Sequence, residues 1–277
     1  MYGILTSNAD LAREDVGDFV HFVADDVSGR RAAPLDGAIN SVACWGDTAV
    51  VRDDPSRAAV TAEGTRTTPD AEGHHWGTVC PTDPDYRAAL LDRIEAVGAA
   101  GAVRLTTPGF PGVEFCRCER CERQFAASDR DDRVAWRTET ITRFVRQASN
   151  RVSGNLVITL YPDPYPGNLR ERTGLDPREL DSHVDGFLVP LCSISYETTY
   201  WVESLARGFA RELEELDASL TIQLSASEAE VDRLVDVTRQ VDPHADAVVY
   251  GTHEEDVDAI REVVRRCRTA EPPSPTV

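Results

Sequence analysis

The chain has 277 residues, which is enough for one large α/β domain or two small ones. It carries 48 acidic side chains against 29 basic ones, for a formal net charge of −19, and every basic residue is an arginine. Such a surface is typical of the cytosolic proteins of salt-accumulating halophiles, where high ionic strength screens self-repulsion, and it argues against nucleic-acid binding, which needs clustered positive charge.

The amino-terminal residues show no positively charged leader, and no apolar stretch approaches the length of a transmembrane helix. We therefore expect a cytoplasmic protein that has no membrane partner. The number of cysteines is odd, at seven, and in that compartment a disulfide framework is not expected.

The first half of the chain predicts strands with irregular connections. A strand over 2–7 precedes a helical pattern over 11–23, and a second strand covers 37–45, with 48–51 as a short extension or hairpin arm. A polar loop rich in Gly, Pro, Thr and Asp then runs over 52–77. Loops of this length in compact domains are usually functional or disordered.

From Asp83 onward the alternation of helices and strands is regular. Asp83 as N-cap and Pro84 at the first helical position start a helix that closes at glycines 98 and 101. Two later helices begin with capping boxes, Ser227 with Glu230 and Thr252 with Glu255. The tail over 269–277 is rich in proline and is predicted to be disordered. The predicted strands in this half are 102–106, 156–160, 187–189, 220–224 and 247–250.

Strands that alternate with helices predict parallel pairing with right-handed crossovers. Seven strands are predicted, or eight if 48–51 belongs to the sheet. We predict a single (β/α)8 TIM-type barrel over residues 1–268, irregular or incomplete at its N-terminal side. A doubly wound open sheet is the alternative, but it normally shows a glycine-rich phosphate loop at the first turn, which this sequence lacks.

Four cysteines are candidates for one metal site. Cys116, Cys118 and Cys121 lie within a six-residue turn, and Cys80 precedes the helix that starts near Asp83. Four thiolates suit tetrahedral Zn²⁺, and such a closed site leaves no position for a reacting water, so the metal would be structural. Iron-sulfur ligation and a metal-free redox or incidental cluster stay open as alternatives.

In a barrel the active site lies at the carboxyl ends of the strands. The sequence places acidic and aromatic residues there, and carbohydrate sites use paired carboxylates as acid and nucleophile or base. Each acid also has a structural interpretation: Glu114 as a solvated side chain, Asp163 as a turn cap and Glu197 as an N-cap or surface acid. The candidate catalytic residues are Asp163, Glu197 and Glu114, and the candidate substrate-binding residues are Trp45, Tyr161, Tyr196, Tyr250 and His253.

The segment from Cys80 to Arg87, Cys-Pro-Thr-Asp-Pro-Asp-Tyr-Arg, together with Cys-Arg-Cys-Glu-Arg-Cys over 116–121 and Phe125, resembles the zinc-site segments of the zinc-containing β-galactosidases and related glycoside-hydrolase-like barrels. The resemblance implies a TIM-barrel glycoside-hydrolase relative whose four cysteines bind structural zinc. It covers residues 76–125. Those galactosidases carry an Asn-Glu pair, with Glu as acid/base, where this chain has Thr106 and Thr107.

A threonine cannot protonate a leaving group as a carboxylic acid does. The leading hypothesis is a zinc-stabilised barrel that acts on a carbohydrate through paired carboxylates. The alternative is a carbohydrate-binding or regulatory barrel that has lost the acid/base residue, and an iron-sulfur redox protein is the third possibility.

Overall fold

The structure, a computed structural model, describes residues 1–71, 73–163, 165–192, 199–226, 230–251 and 257–269. Eight parallel strands form a closed barrel in chain order, each hydrogen-bonded to the next, and the barrel closes where Gly3 lies opposite Val249. The predicted barrel is confirmed. The strands are β1 Tyr2–Thr6, β2 Phe19–Phe22, β3 Ile39–Ala43, β4 Val103–Thr106, β5 Leu156–Thr159, β6 Gly186–Pro190, β7 Ser219–Leu224 and β8 Ala247–Tyr250.

Helices cover the outside of the barrel and bury its outward-facing side chains in one large apolar core. Long helices follow β3, β4, β6, β7 and β8, as the crossover rule requires of parallel neighbours. The described helices are α1 Thr48–Asp53, α2 Pro84–Gly98, α3 Glu119–Ala126, α4 Arg133–Ser149, α5 Leu169–Thr173, α6 Pro177–Leu180, α7 Thr199–Glu212, α8 Val231–Val241 and α9 Val257–Thr269.

The first two connections lack crossover α-helices, which is the irregularity expected on the N-terminal side. The helical pattern predicted over 11–23 is wrong beyond a short 3-10 turn at Leu11–Arg13, because 19–22 is strand β2. The chain passes so close to β1 that a Cβ on Gly17 would lie 2.7 Å from the Tyr2 carbonyl oxygen. The apolar spacing also suits a strand, since Val20 packs against the outer core while Phe19 packs against an inner cluster.

The extension predicted at 48–51 is likewise wrong, because these residues begin helix α1. The Asp47 carboxylate accepts a hydrogen bond from the Val50 amide at 3.0 Å and thereby caps the first turn. The eighth strand of the sheet is therefore β2.

The long polar loop predicted over 52–77 is folded back on itself in its described part, which leaves out residue 72. Short antiparallel bridges join Ala58 to Val79 and Val60 to Arg66. The buried Thr67 hydroxyl bonds the Thr78 carbonyl oxygen at 2.7 Å. The tail expected to be disordered lies outside the described residues from position 270 onward. The capping residues Ser227, Thr252 and Glu255 also lie outside them, and Glu230 precedes α8 without a side-chain cap bond.

Candidate functional site at the carboxyl-terminal rim

The four predicted cysteine ligands lie together at the rim where β3 and β4 end. Their sulfur atoms are all within 4.8 Å of one another. Cys80 Sγ lies 3.7 Å from Cys118 Sγ and 3.5 Å from Cys121 Sγ. A tetrahedral ion with metal-sulfur bonds of about 2.3 Å requires sulfur separations of about 3.8 Å. The cluster therefore has the size of a four-thiolate zinc site, and the four residues fit the ion.

Local structure explains how distant cysteines meet. Cys80 ends the long loop after β3 and is fixed by a bond from its amide to the Arg57 carbonyl oxygen at 2.8 Å. The other three follow β4, where Cys118 is the N-cap of α3 and accepts from the Cys121 amide at 3.5 Å. The cluster thus joins the loop after β3 to the loop after β4.

Hydrogen-bonding groups surround the sulfurs. The Thr82 hydroxyl lies 3.2 Å from the sulfurs of both Cys80 and Cys121, and the Val60 amide donates to Cys116 Sγ at 3.4 Å. Hydrogen bonds among the four thiols lower the pKa values of Cys116 and Cys118 and raise those of Cys80 and Cys121. Metal ions bind thiolates, so this arrangement is the one that a bound cation stabilises.

Thr106 and Thr107 end β4 at the position where the resemblance expects Asn-Glu. Thr107 has φ +47°, which is rare for a β-branched residue and costs of order 1 to 3 kcal/mol where it persists. Its hydroxyl accepts a hydrogen bond from the Gly46 amide at 3.1 Å. These threonines tie β4 to the chain after β3, and no carboxylate stands at their two positions.

Glu114 lies between the threonines and the cysteine cluster, and its side chain is exposed. The charge of Glu114 raises the pKa of nearby Arg137, although burial lowers it more, to about 10. The guanidinium of Arg137 is buried and donates to four backbone carbonyl oxygens on two loops. Those oxygens belong to Gly112 and Val113 after β4 and to Glu171 and Arg172 in α5, so Arg137 holds the two loops together.

Asp163 follows β5 and is buried. Its carboxylate accepts from the Tyr165 amide at 2.8 Å and from Arg172 Nη1 at 3.1 Å. The same guanidinium donates to the Tyr161 hydroxyl at 3.1 Å and lies 4.2 Å from the centre of that ring. The structure therefore brings together Asp163, Tyr161 and Arg172, and Asp163 has the turn-capping contact that was its structural interpretation.

Two predicted aromatic ligands are fully enclosed. Trp45 donates from Nε1 to the Pro108 carbonyl oxygen at 2.6 Å and packs 4.6 Å from the Phe144 ring. Tyr250 bonds the Thr238 hydroxyl of α8 at 3.0 Å. Neither presents a ring face to solvent, so stacking on a sugar would require the rim to open. The remaining predicted site residues, Tyr196, Glu197 and His253, lie outside the described residues.

Exposed aromatic side chains that the sequence did not single out follow β5 and β6, as Tyr161 follows β5. Tyr200 and Trp201 at the start of α7 are 65% and 59% exposed, and their rings meet edge to face at 5.3 Å. Tyr165 is also exposed, and the turn that follows it contacts α7. The adjacent aromatic residues Tyr200 and Trp201, at the start of the helix that follows β6, were the available signal. We call Tyr161, Tyr165, Tyr200 and Trp201 the aromatic rim.

No protein-family model and no curated protein matches the chain. Solved structures match it at 11 to 12% identity, which shows the fold alone. The α-L-fucosidase isoenzyme 2 from Paenibacillus thiaminolyticus has a TM-score of 0.65 at 11% identity over 96% of this chain, which spans 48% of that chain. The chain therefore covers about half of the fucosidase.

Two further matches have TM-scores of 0.51. One is the glycoside hydrolase domain of PelA from Pseudomonas aeruginosa, at 12% identity over 90% of this chain and 93% of that one. The other is an α-amylase from Lactobacillus plantarum, at 11% identity over 96% and 79% of the two chains. The barrel is thus of the kind that glycoside hydrolases use. Within the described residues, no helix has the length and apolar character needed to cross a membrane.

Proposed function

We propose that this barrel binds a carbohydrate at its carboxyl-terminal rim and acts on it through paired carboxylates. The observation that carries the proposal is the aromatic rim. Exposed aromatic faces at the catalytic edge of a barrel are a costly arrangement in water, and sugar rings stack on such faces. The similarity of the fold to glycoside hydrolases supports the same substrate class.

Asp163 and Glu197 are the proposed catalytic carboxylates, with Glu114 third, and Tyr196 and His253 remain proposed ligands from sequence. Asp163 lies next to Tyr161 at the aromatic rim, and Glu197 precedes Tyr200 by three positions. Glycoside hydrolysis needs two carboxyl groups about 5 to 10 Å apart across the bond that breaks. Turnover of a broad panel of aryl glycosides and oligosaccharides by the wild type, Glu197→Gln and Asp163→Asn tests this directly; equal rates in all three would contradict it.

The alternative is a barrel that binds carbohydrate without hydrolysing it. A specific observation favours this alternative: Asp163 already accepts two hydrogen bonds, one of them from Arg172, and Thr106 and Thr107 replace the expected acid/base pair. A carboxylate that already accepts from a guanidinium and an amide has fewer lone pairs left for a substrate. Saturable sugar binding without turnover across the panel would establish the alternative.

We further propose that Cys80, Cys116, Cys118 and Cys121 hold structural Zn²⁺, as in the zinc-containing β-galactosidases that the segment resembles. The distances between the sulfur atoms match those expected around a zinc ion with four thiolate ligands. Four protein ligands leave no position for a substrate. We also propose, from the sequence, that the protein is cytoplasmic and adapted to high salt. One equivalent of zinc in a colourless preparation is the expected result, and a brown preparation with visible absorbance would indicate iron-sulfur instead.

A further inference from the structure

The barrel lumen contains a buried arginine, Arg104, which is the second residue of β4. Val103 and Leu105 of β4 pack in the outer core, so Arg104 between them faces inward. The strand ladder agrees, since Arg104 is paired with Ser41 of β3 and Val157 of β5, and Val157 packs against the inner apolar cluster. Arg104 is 4% exposed.

The cation of Arg104 is poorly satisfied inside the described part of the chain. Its Nε is fully enclosed and has no hydrogen-bond partner. Two other inward-facing groups share this condition, His21 Nδ1 and Thr159 Oγ1. Burial lowers the pKa of Arg104 to about 10, which still leaves the guanidinium charged near neutral pH. Burial, followed by the charge of Arg104, lowers the pKa of His21 well below its ordinary value, so His21 is neutral there.

Arg137 shows how this chain otherwise treats a buried arginine. Its Nε also lacks a partner among the described residues, but its Nη1 and Nη2 donate to four carbonyl oxygens at 2.6 to 3.4 Å. By contrast, the inward-facing positions of the eight described strands include no aspartate or glutamate that could pair with Arg104. An unpaired buried charge costs several kcal/mol, so a site that keeps one is expected to meet an anion.

The direction from which an anion would arrive follows from the neighbours of Arg104. Among the described groups, the one that raises its pKa is Cys192, which lies just after β6 at the carboxyl-terminal end of the barrel. Apolar side chains of the inner cluster, among them Val157 and Val249, fill much of the lumen around Arg104. The guanidinium is thus placed on the side of the lumen that faces Cys192 and the carboxyl-terminal mouth.

We propose that Arg104 anchors an anion-binding site in the barrel lumen, which takes a carboxylate group of a ligand that enters from the carboxyl-terminal mouth. Neutral His21 and the Thr159 hydroxyl are additional polar groups for that carboxylate. Where the ligand is a carbohydrate, which rests on the proposed function, the site selects an acidic sugar. The anion site itself does not depend on the ligand being a sugar.

The test is calorimetric titration of the full chain with D-glucuronate, D-glucose and acetate at one fixed ionic strength. Charge-assisted hydrogen bonds inside a protein contribute about 1.5 to 3 kcal/mol, so wild type should bind glucuronate at least about tenfold more tightly than glucose. Arg104→Met should abolish that preference, and Arg104→Lys should keep part of it. Arg143→Met, on the outer surface of α4, is the matched control and should bind as wild type does.

Each other outcome decides between the two proposals. Glucose binding without a preference for glucuronate would overturn the anion site and leave the carbohydrate proposal standing. Acetate binding that depends on Arg104, with no sugar bound, would support the anion site and contradict the carbohydrate proposal. No binding of glucuronate or acetate by wild type would overturn the anion site. If these anions bound Glu197→Gln but not wild type, Glu197 would be the partner of Arg104, and the ligand site would be overturned as well.

Discussion

Two arcs of the carboxyl-terminal rim differ in how they treat aromatic side chains. The clamped arc, residues 44–83 and 107–121, encloses Trp45, Phe110 and Phe115 and joins its two loops through the cysteine cluster. The open arc, residues 160–169 and 199–201 in the described chain, exposes the aromatic rim. We infer from this difference that the clamped arc stabilises the edge of the barrel and that the open arc binds the ligand.

Removing the metal should produce the largest effect, because it acts on the clamped arc. A structural zinc site contributes folding free energy directly, so chelation or Cys116→Ser with Cys118→Ser should lower the free energy of unfolding by about 5 kcal/mol or more. Urea unfolding with and without chelator, alongside metal analysis, measures it. Cys267→Ala in α9 is the control and should retain one metal. An unchanged unfolding midpoint after complete metal loss would show that the cluster does not stabilise the fold.

The next largest effect should be the difference in stability between variants of the two buried arginines, Arg137 and Arg104. Arg137→Met leaves four carbonyl oxygens without their donor and should destabilise the fold by about 3 to 5 kcal/mol. Arg104→Met removes an unpaired charge and should change stability by less than about 1 kcal/mol, or increase it. Chemical denaturation of both variants measures the contrast. Equal losses would show that Arg104 is satisfied in the folded chain and would contradict its assignment as a ligand group.

Tyr200 of the open arc and Tyr86 of α2, whose hydroxyl bonds the clamped arc, should separate binding from stability. Tyr200→Ala removes an exposed ring and should weaken sugar binding about tenfold with little change in stability, since an aromatic stacking contact contributes about 0.5 to 1.5 kcal/mol beyond its area. Tyr86→Phe removes the hydroxyl that bonds the Cys44 carbonyl oxygen and Asp47. It should destabilise by about 1 kcal/mol and leave affinity unchanged. If Tyr86→Phe weakened sugar binding and Tyr200→Ala destabilised the fold, the clamped arc would be the one that binds the ligand and the open arc the one that stabilises the barrel.

The smallest expected effect is the pH dependence that arises from His21. Its pKa is depressed in the folded chain, so the unfolded chain binds more protons below an ordinary pKa of about 6.5. Stability from this residue is therefore present above that pH and is lost as the pH falls below it, with a slope of up to about 1.4 kcal/mol per pH unit. The difference between wild type and His21→Gln from pH 7.5 to 5.5 isolates it. A difference that does not vary with pH would mean that His21 titrates alike in both states.

Sequence periodicity was sufficient for the barrel because helices and strands after Asp83 have distinct spacing and caps. It failed near Phe19 and Thr48, where apolar spacing fitted two structures: close passage along β1 decided for a strand at Phe19, and the Asp47 cap decided for a helix at Thr48. The cysteine cluster was predictable since thiols have few other uses at that density. The position of Arg104 in the lumen was not predictable, because the sequence does not say which face of a strand a single arginine occupies. The pairing of the strands is needed for that.

Trp76 and Trp201 allow the most direct test of the central claim that a carbohydrate binds at the open arc. Both are exposed, one on each arc. Titration of the wild type with a panel of neutral and acidic oligosaccharides should change tryptophan fluorescence. Trp201→Phe should remove most of that change, and Trp76→Phe should preserve it. A response that persists in Trp201→Phe and disappears in Trp76→Phe, or no response from wild type across the panel, would contradict the account.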